Sequence, residues 1–98
     1  MTKKVKLLVN DSPIPLDYFV EGFLDHTVSG MVAALEGTGE IQALDLAIDG
    51  DTVSMVLNDS PVTLKLFVST IIRSTVTGMI SVLKGVETTG KVRINIQR

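Results

Sequence analysis

The chain repeats itself. Displaced by 48 residues, VKLLVNDSPIPLDYFV, beginning at Val5, lies over VSMVLNDSPVTLKLFV, beginning at Val53. Asn10-Asp11-Ser12-Pro13 recurs as Asn58-Asp59-Ser60-Pro61, and Thr27, Val28, Gly30 and Met31 recur as Thr75, Val76, Gly78 and Met79. The register holds without a gap to Ile48 over Ile96. Such self-similarity marks a duplicated structural unit. Whatever one half folds into, the other half must fold into as well, and the two must complete each other's core.

Each half reads strand, helix, strand. Val5-Leu7-Val9, Leu44-Leu46-Ile48, Val53-Met55-Leu57 and Val92-Ile94-Ile96 each alternate with other residues at a period of two, as half-buried strands do. Expected strands cover 4–10, 41–48, 52–58 and 91–97. Asp49-Gly50-Asp51 is expected to turn a tight hairpin, because Gly readily takes positive φ. Leu16, Phe19-Val20, Phe23-Leu24, Thr27-Val28, Met31 and Leu35 fall at helical spacing, as do their mates from Leu64 to Leu83. The stripe fills about half the circumference, enough for a sheet and a neighbouring helix. Helices are therefore expected over 15–36 and 63–84. Phe19, Phe67, Met31 and Met79 are read as contacts between the halves.

The resulting order, β-α-β-β-α-β, predicts a ferredoxin-like α+β two-layer sandwich. Its antiparallel sheet would have spatial order 4-1-3-2, with both helices on one face. One domain over 1–98 would contain repeats at about 4–49 and 52–97.

The duplicated loops offer Asn10, Asp11 and Ser12, and Asn58, Asp59 and Ser60, as oxygen donors for a ligand. The same residues are turn formers, and the turn is the favoured reading. In the ferredoxin order the two loops also point to opposite edges. Gly30 and Gly78 cost helical stability, and their duplication suggests close backbone packing, with a ligand crevice as the alternative. Leu8, Val56 and Ala47 fall on the helix-free sheet face, where Leu8 and Val56 would sit on the two central strands. They form a candidate association surface.

Charge divides unevenly. Residues 1–50 carry a net −5 and residues 51–98 a net +3. The signs oppose each other at matched positions: Asp17 over Lys65, Asp25 over Arg73, Glu36 over Lys84, Asp45 over Arg93 and, reversed, Lys3 over Asp51. Antiparallel helices would bring Asp25 to Arg73, Asp17 to Lys84 and Glu36 to Lys65. Asp25 and Arg73 are the leading candidate for a charge pair between the halves.

Composition removes several classes of chemistry. There is no cysteine, so disulfides, thiol nucleophiles and cysteine-bound metals are excluded. The single histidine, His26, has no carboxylate partner at helical spacing and reads as a surface residue. No catalytic constellation, metal site or cofactor motif emerges. A net charge of −2 disfavours nucleic acid, and the expected central strands display no aromatic for stacking bases. No apolar run reaches the roughly 18 residues of a membrane span. The N-terminal run is too short for a signal peptide, so a cytoplasmic protein is expected.

The strings Ile14-Pro15-Leu16 with Phe19-Val20, and Thr75-Val76-Thr77-Gly78-Met79, resemble motifs of small prokaryotic proteins of uncharacterised activity, often in single copy. The resemblance implies a homodimer of single units that this tandem chain imitates; it implies no activity. The functional expectation is a non-enzymatic domain acting through protein association, as a homodimer or with another protein. The alternative is a small-ligand regulatory module resembling ACT-type domains, which share the expected element order.

Overall fold

The computed structural model describes residues 4–35, 41–83 and 90–97. Strand β1 (Lys4–Val9) is followed by a short β2 (Ser12–Pro13), helix α1 (Tyr18–Ala34) and strand β3 (Ala43–Asp49). The second half matches it with β4 (Thr52–Leu57), a short β5 (Ser60–Val62), α2 (Leu66–Ile80) and β6 (Lys91–Gln97). All strands join one antiparallel sheet of order β2-β1-β6-β3-β4-β5. The fold is α+β, with two helices packed on this sheet, and its shortest extent is 18 Å.

The ferredoxin-like order is not what forms. It required β1 and β4 to pair at the centre, with β3 and β6 at the edges. The observed centre is β3 against β6. The physical reason lies in the Asn-Asp steps. Asn10 and Asp11 have φ of 51° and 66°, and Asn58 and Asp59 have φ of 49° and 68°. Positive φ at both central residues is the signature of a type I′ hairpin, whose twist matches that of the strands it joins. The chain therefore reverses at each Asn-Asp, and Val9 pairs with Ser12 and Leu57 with Ser60. The returning strands β2 and β5 occupy the very edges of β1 and β4 that the ferredoxin order needed. The free edges left are those of β3 and β6, and these meet.

Register makes the symmetry explicit. Leu46 pairs with Ile94, its own mate in the other half, and the ladder runs symmetrically outward to Ala43–Gln97 and Asp49–Lys91. One face of the sheet is wholly apolar: Val5, Ile96, Leu44 and Leu57 form one row, and Leu7, Ile94, Leu46 and Met55 the next. Both helices cover this face. α1 brings down Leu24, Val28 and Val32, and α2 brings Ile72, Val76 and Ile80. All are buried in one continuous cluster. The β3–β4 hairpin closes through Gly50 and Asp51, with Gly50 at φ 59°.

The helices start later than their apolar periodicity suggests. Ile14 still donates its N–H to the Leu7 carbonyl at 2.9 Å, extending the hairpin past β2. Asp17, in extended conformation, then caps α1: its Oδ1 accepts from the Val20 N–H at 2.8 Å. Lys65 stands at the same place before α2 with nearly the same backbone angles and no side-chain cap.

A candidate interaction face on the helices

The duplicated loops form turns. Asn10 Oδ1 accepts from the Lys91 N–H at 2.9 Å, while the Asn10 N–H donates to the Lys91 carbonyl. Asn58 Oδ1 accepts from the Gln42 and Ala43 N–H groups at 2.8 and 3.0 Å, and the Asn58 N–H donates to the Ala43 carbonyl. Each asparagine thus ties its hairpin to the first residue of a central strand. Their amide oxygens serve the backbone, and Asp11, Ser12, Asp59 and Ser60 lie exposed in the same turns. The two turns sit at opposite corners of the sheet. The likeness to ACT-type domains rested on the β-α-β-β-α-β order, which this sheet does not have.

The helix-free face also differs from expectation. Leu8 and Val56 lie not on the central strands but on β1 and β4, one strand in from each edge. Leu8 is half-buried beside Pro13 and Arg93, and Val56 is exposed beside Pro61 and Asp45. The centre of this face holds a charge pair. Arg93 on β6 donates Nε to Asp45 Oδ1 at 3.0 Å and Nη2 to the other oxygen. These two residues are symmetry mates, and Ala47 sits directly across from Arg93. The contact and charge of Asp45 push the Arg93 guanidinium further toward its protonated form.

The named pair Asp25 and Arg73 is placed differently. Arg73 reaches Asp51 at 3.7 Å. Asp25 is buried on α1 at 1% exposure, where Ser29 Oγ donates to its Oδ1 at 3.5 Å. Arg73 and Asp51 stand where Asp25 and Lys3 stand in the first half, so both partners of this contact are inverted between the halves. Lys3, Glu36 and Lys84 lie outside the described residues, and the expected Asp17–Lys84 and Glu36–Lys65 contacts with them.

The unexpected feature is the outer surface of the helices. About two and a half turns separate Phe19 from Val28, and Phe67 from Val76. With Val28 and Val76 against the sheet, Phe19 and Phe67 must point away from it. They are 72% and 74% exposed. They do not join the halves across the core as expected. Phe23, Ile71 and Val82 are also exposed, at 49%, 45% and 82%. Between them lie exposed small residues: Gly30, Ala33 and Ala34 on α1, and Thr70, Ser74 and Gly78 on α2. The exposed positions of both helices include no Asp, Glu, Lys or Arg; His26 is their single ionisable group apart from Tyr18. A helix on a protein surface ordinarily carries its charges there. Here Asp25 is buried, Glu21 is half-buried, and the partly covered Arg73 reaches Asp51 in the β3–β4 hairpin.

Among the described residues Gly30 and Gly78 do not serve close packing: a methyl group added at either would meet none of them within 4 Å. Gly78 instead lines an open groove of about 420 Å³ between the start of α1 and the end of α2. Its walls are Phe19, Val20, Phe23, Leu24, Gly78, Met79, Val82 and Leu83, none of which carries an acid or a base. Phe19 and Phe23 lie side by side at its rim, with ring centres 5.8 Å apart. Among the described residues no group of acidic or histidine side chains could hold a metal ion, and no helix is long and apolar enough to cross a membrane.

Compared with known protein families, curated proteins and solved structures, the chain matches none.

Proposed function

We propose that this chain is a non-enzymatic association module that engages a protein partner through the outer face of its two helices. The observation that carries the reading is the charge-free apolar surface around Phe19, Phe23, Phe67 and Ile71. Leaving large apolar groups in water is unfavourable by roughly 25 cal/mol per Å² of accessible area. Contiguous patches of this kind mark surfaces that another molecule covers. The helix-free face fits this role less well, because its centre is the Arg93–Asp45 ion pair and its aliphatic residues stand apart.

Two double variants separate the faces. Phe23→Lys with Ile71→Lys charges the helices; Leu8→Lys with Val56→Lys charges the sheet. The helix variant should lose binding of a dye that fluoresces on apolar surfaces, and should lose any self-association seen by sedimentation. The sheet variant should keep both. The opposite pattern would move the interaction surface to the sheet.

A further inference from the structure

We infer that the partner covering the helix face is a second copy of this chain, stacked so that the phenylalanine end of each helix lies over the glycine end of a helix in the other copy. This rests on the helix-face reading above and adds its occupant. Three observations lead to it.

The first is area. Phe19, Phe23, Phe67, Ile71 and Val82 together expose on the order of 650 Å², taking roughly 150–250 Å² for a large side chain in full. The small residues between them bring the face near the roughly 800 Å² that each partner contributes to a stable interface. A typical monomer's largest apolar patch is about 300–600 Å².

The second is shape. On α1 the bulk sits near the start, at Phe19 and Phe23, and the gap near the end, at Gly30. On α2 it sits at Phe67 and Ile71, with the gap at Gly78. The groove joins the start of α1 to the end of α2, so the helices run in opposite senses. Among the described residues the large rings therefore stand at two diagonal corners of the face and the glycines at the other two, with Val82 beside Gly78. A two-fold axis lying in the face, along or across the helices, sets every phenylalanine corner over a glycine corner. The surface is its own complement, as a two-fold dimer interface must be. Its knobs have somewhere to go: the groove beside Gly78 is open and apolar.

The third is charge. Among the described residues the exposed positions of the two helices hold no Asp, Glu, Lys or Arg, so they offer nothing to a strongly charged partner and nothing that repels an identical copy. Among the described residues those helix positions also carry none of the Lys and Arg with which helices lying on anionic membranes hold lipid headgroups; the exposed Lys65 stands before α2, not on its outer face.

The open space at both glycines makes a discriminating test. Gly30→Leu with Gly78→Leu places bulk where the isolated chain has room, and leucine favours the helix over glycine. In sedimentation over a dilution series the wild-type chain should dimerise. The leucine variant should dimerise about ten- to a hundredfold more weakly, as an overfilled interface does, while its monomer unfolds at a higher temperature. Gly30→Ala with Gly78→Ala should move both quantities the same way by less, and serves if circular dichroism finds the leucine variant misfolded. A wild-type chain that stays monomeric while Phe23→Lys with Ile71→Lys abolishes dye binding overturns the second copy and leaves the helix face standing. A monomer that binds phosphatidylglycerol vesicles overturns it in favour of lipid. A dimer indifferent to the glycine changes, but dissolved by Leu8→Lys with Val56→Lys, overturns both the occupant and the face.

Discussion

The two halves place a natural experiment at their helix starts. Asp17 and Lys65 occupy matched positions, with φ −81°, ψ 175° and φ −71°, ψ 155°. Both backbones are poised for a cap, yet one side chain supplies it and the other cannot. Lys65→Asp should therefore find its hydrogen bond ready-made, its carboxylate reaching the Val68 N–H as Asp17 reaches that of Val20. A capping side chain contributes about 0.5–2 kcal/mol. Exchanging a cation for an anion at the positive end of the helix dipole adds about 0.3–1 kcal/mol, weakened by salt because the site is exposed. The sum is about 1–3 kcal/mol. For a domain of this size 1 kcal/mol moves the unfolding midpoint by about 4–8 °C, so a rise of at least about 4 °C is expected. Lys65→Ala isolates the charge and should give only a few tenths of a kcal/mol. Asp17→Ala should cost about 1 kcal/mol. The assay is thermal and urea unfolding followed by circular dichroism, at several protein concentrations because self-association raises the apparent midpoint. If Lys65→Asp proves no more stable than Lys65→Ala, the start of α2 does not present its amides as that of α1 does, and the equivalence is refuted.

Asp11→Gly should stabilise the first hairpin by several tenths of a kcal/mol, since Asn-Gly suits two positive φ values better than Asn-Asp, whereas Asp11→Val should destabilise it; urea midpoints separate the two. Asn58→Gly keeps the turn but removes the acceptor for the Gln42 and Ala43 N–H groups, and should cost about 1–2 kcal/mol, with faster amide exchange at both. Leu46→Ala or Ile94→Ala empties the symmetry centre of the core and should cost about 2–5 kcal/mol in the same unfolding assay. Arg93 is charged at every accessible pH, and its raised pKa means that the ion pair with Asp45 keeps its contribution below that pKa. Stability should show no loss attributable to Arg93 as pH rises from neutral to about 10.

Alternation alone located the four long strands, because Val5-Leu7-Val9 and its counterparts bury every second residue on a single apolar face. The Gly50 turn was legible for the same reason that glycine is unusual: its φ is free. The sheet order was not legible, and the failure traces to Asn10-Asp11. Read as loop formers ahead of a helix, they hide a hairpin; read as two residues tolerant of positive φ between Val9 and Ser12, they announce one. That single turn decides which strand edges stay available, and so decides the whole order. The exposed outer face of the helices is hidden in the sequence by an excess of apolar residues. An apolar stripe covering half of each helix was assigned to the sheet and a neighbouring helix, but Phe19 and Phe67 stand opposite the buried Val28 and Val76. A stripe too wide for the sheet it lies on was the available signal. The Asp45–Arg93 contact was visible as a sign inversion at matched positions, but only the β3–β6 register brings symmetry mates within reach of each other.

The outermost strands β2 and β5 are two and three residues long, and each contains a proline, Pro13 and Pro61. A proline has no N–H to offer an incoming strand, and so short a ribbon gives it little to align with. Duplicated chains with long sheet edges are prone to add one another strand to strand and polymerise without end. In this molecule the same hairpins that set the strand order also close both borders of the sheet. Growth into fibres is blocked at its template, so the proposed assembly through a helix face would stop at a closed, countable number of copies.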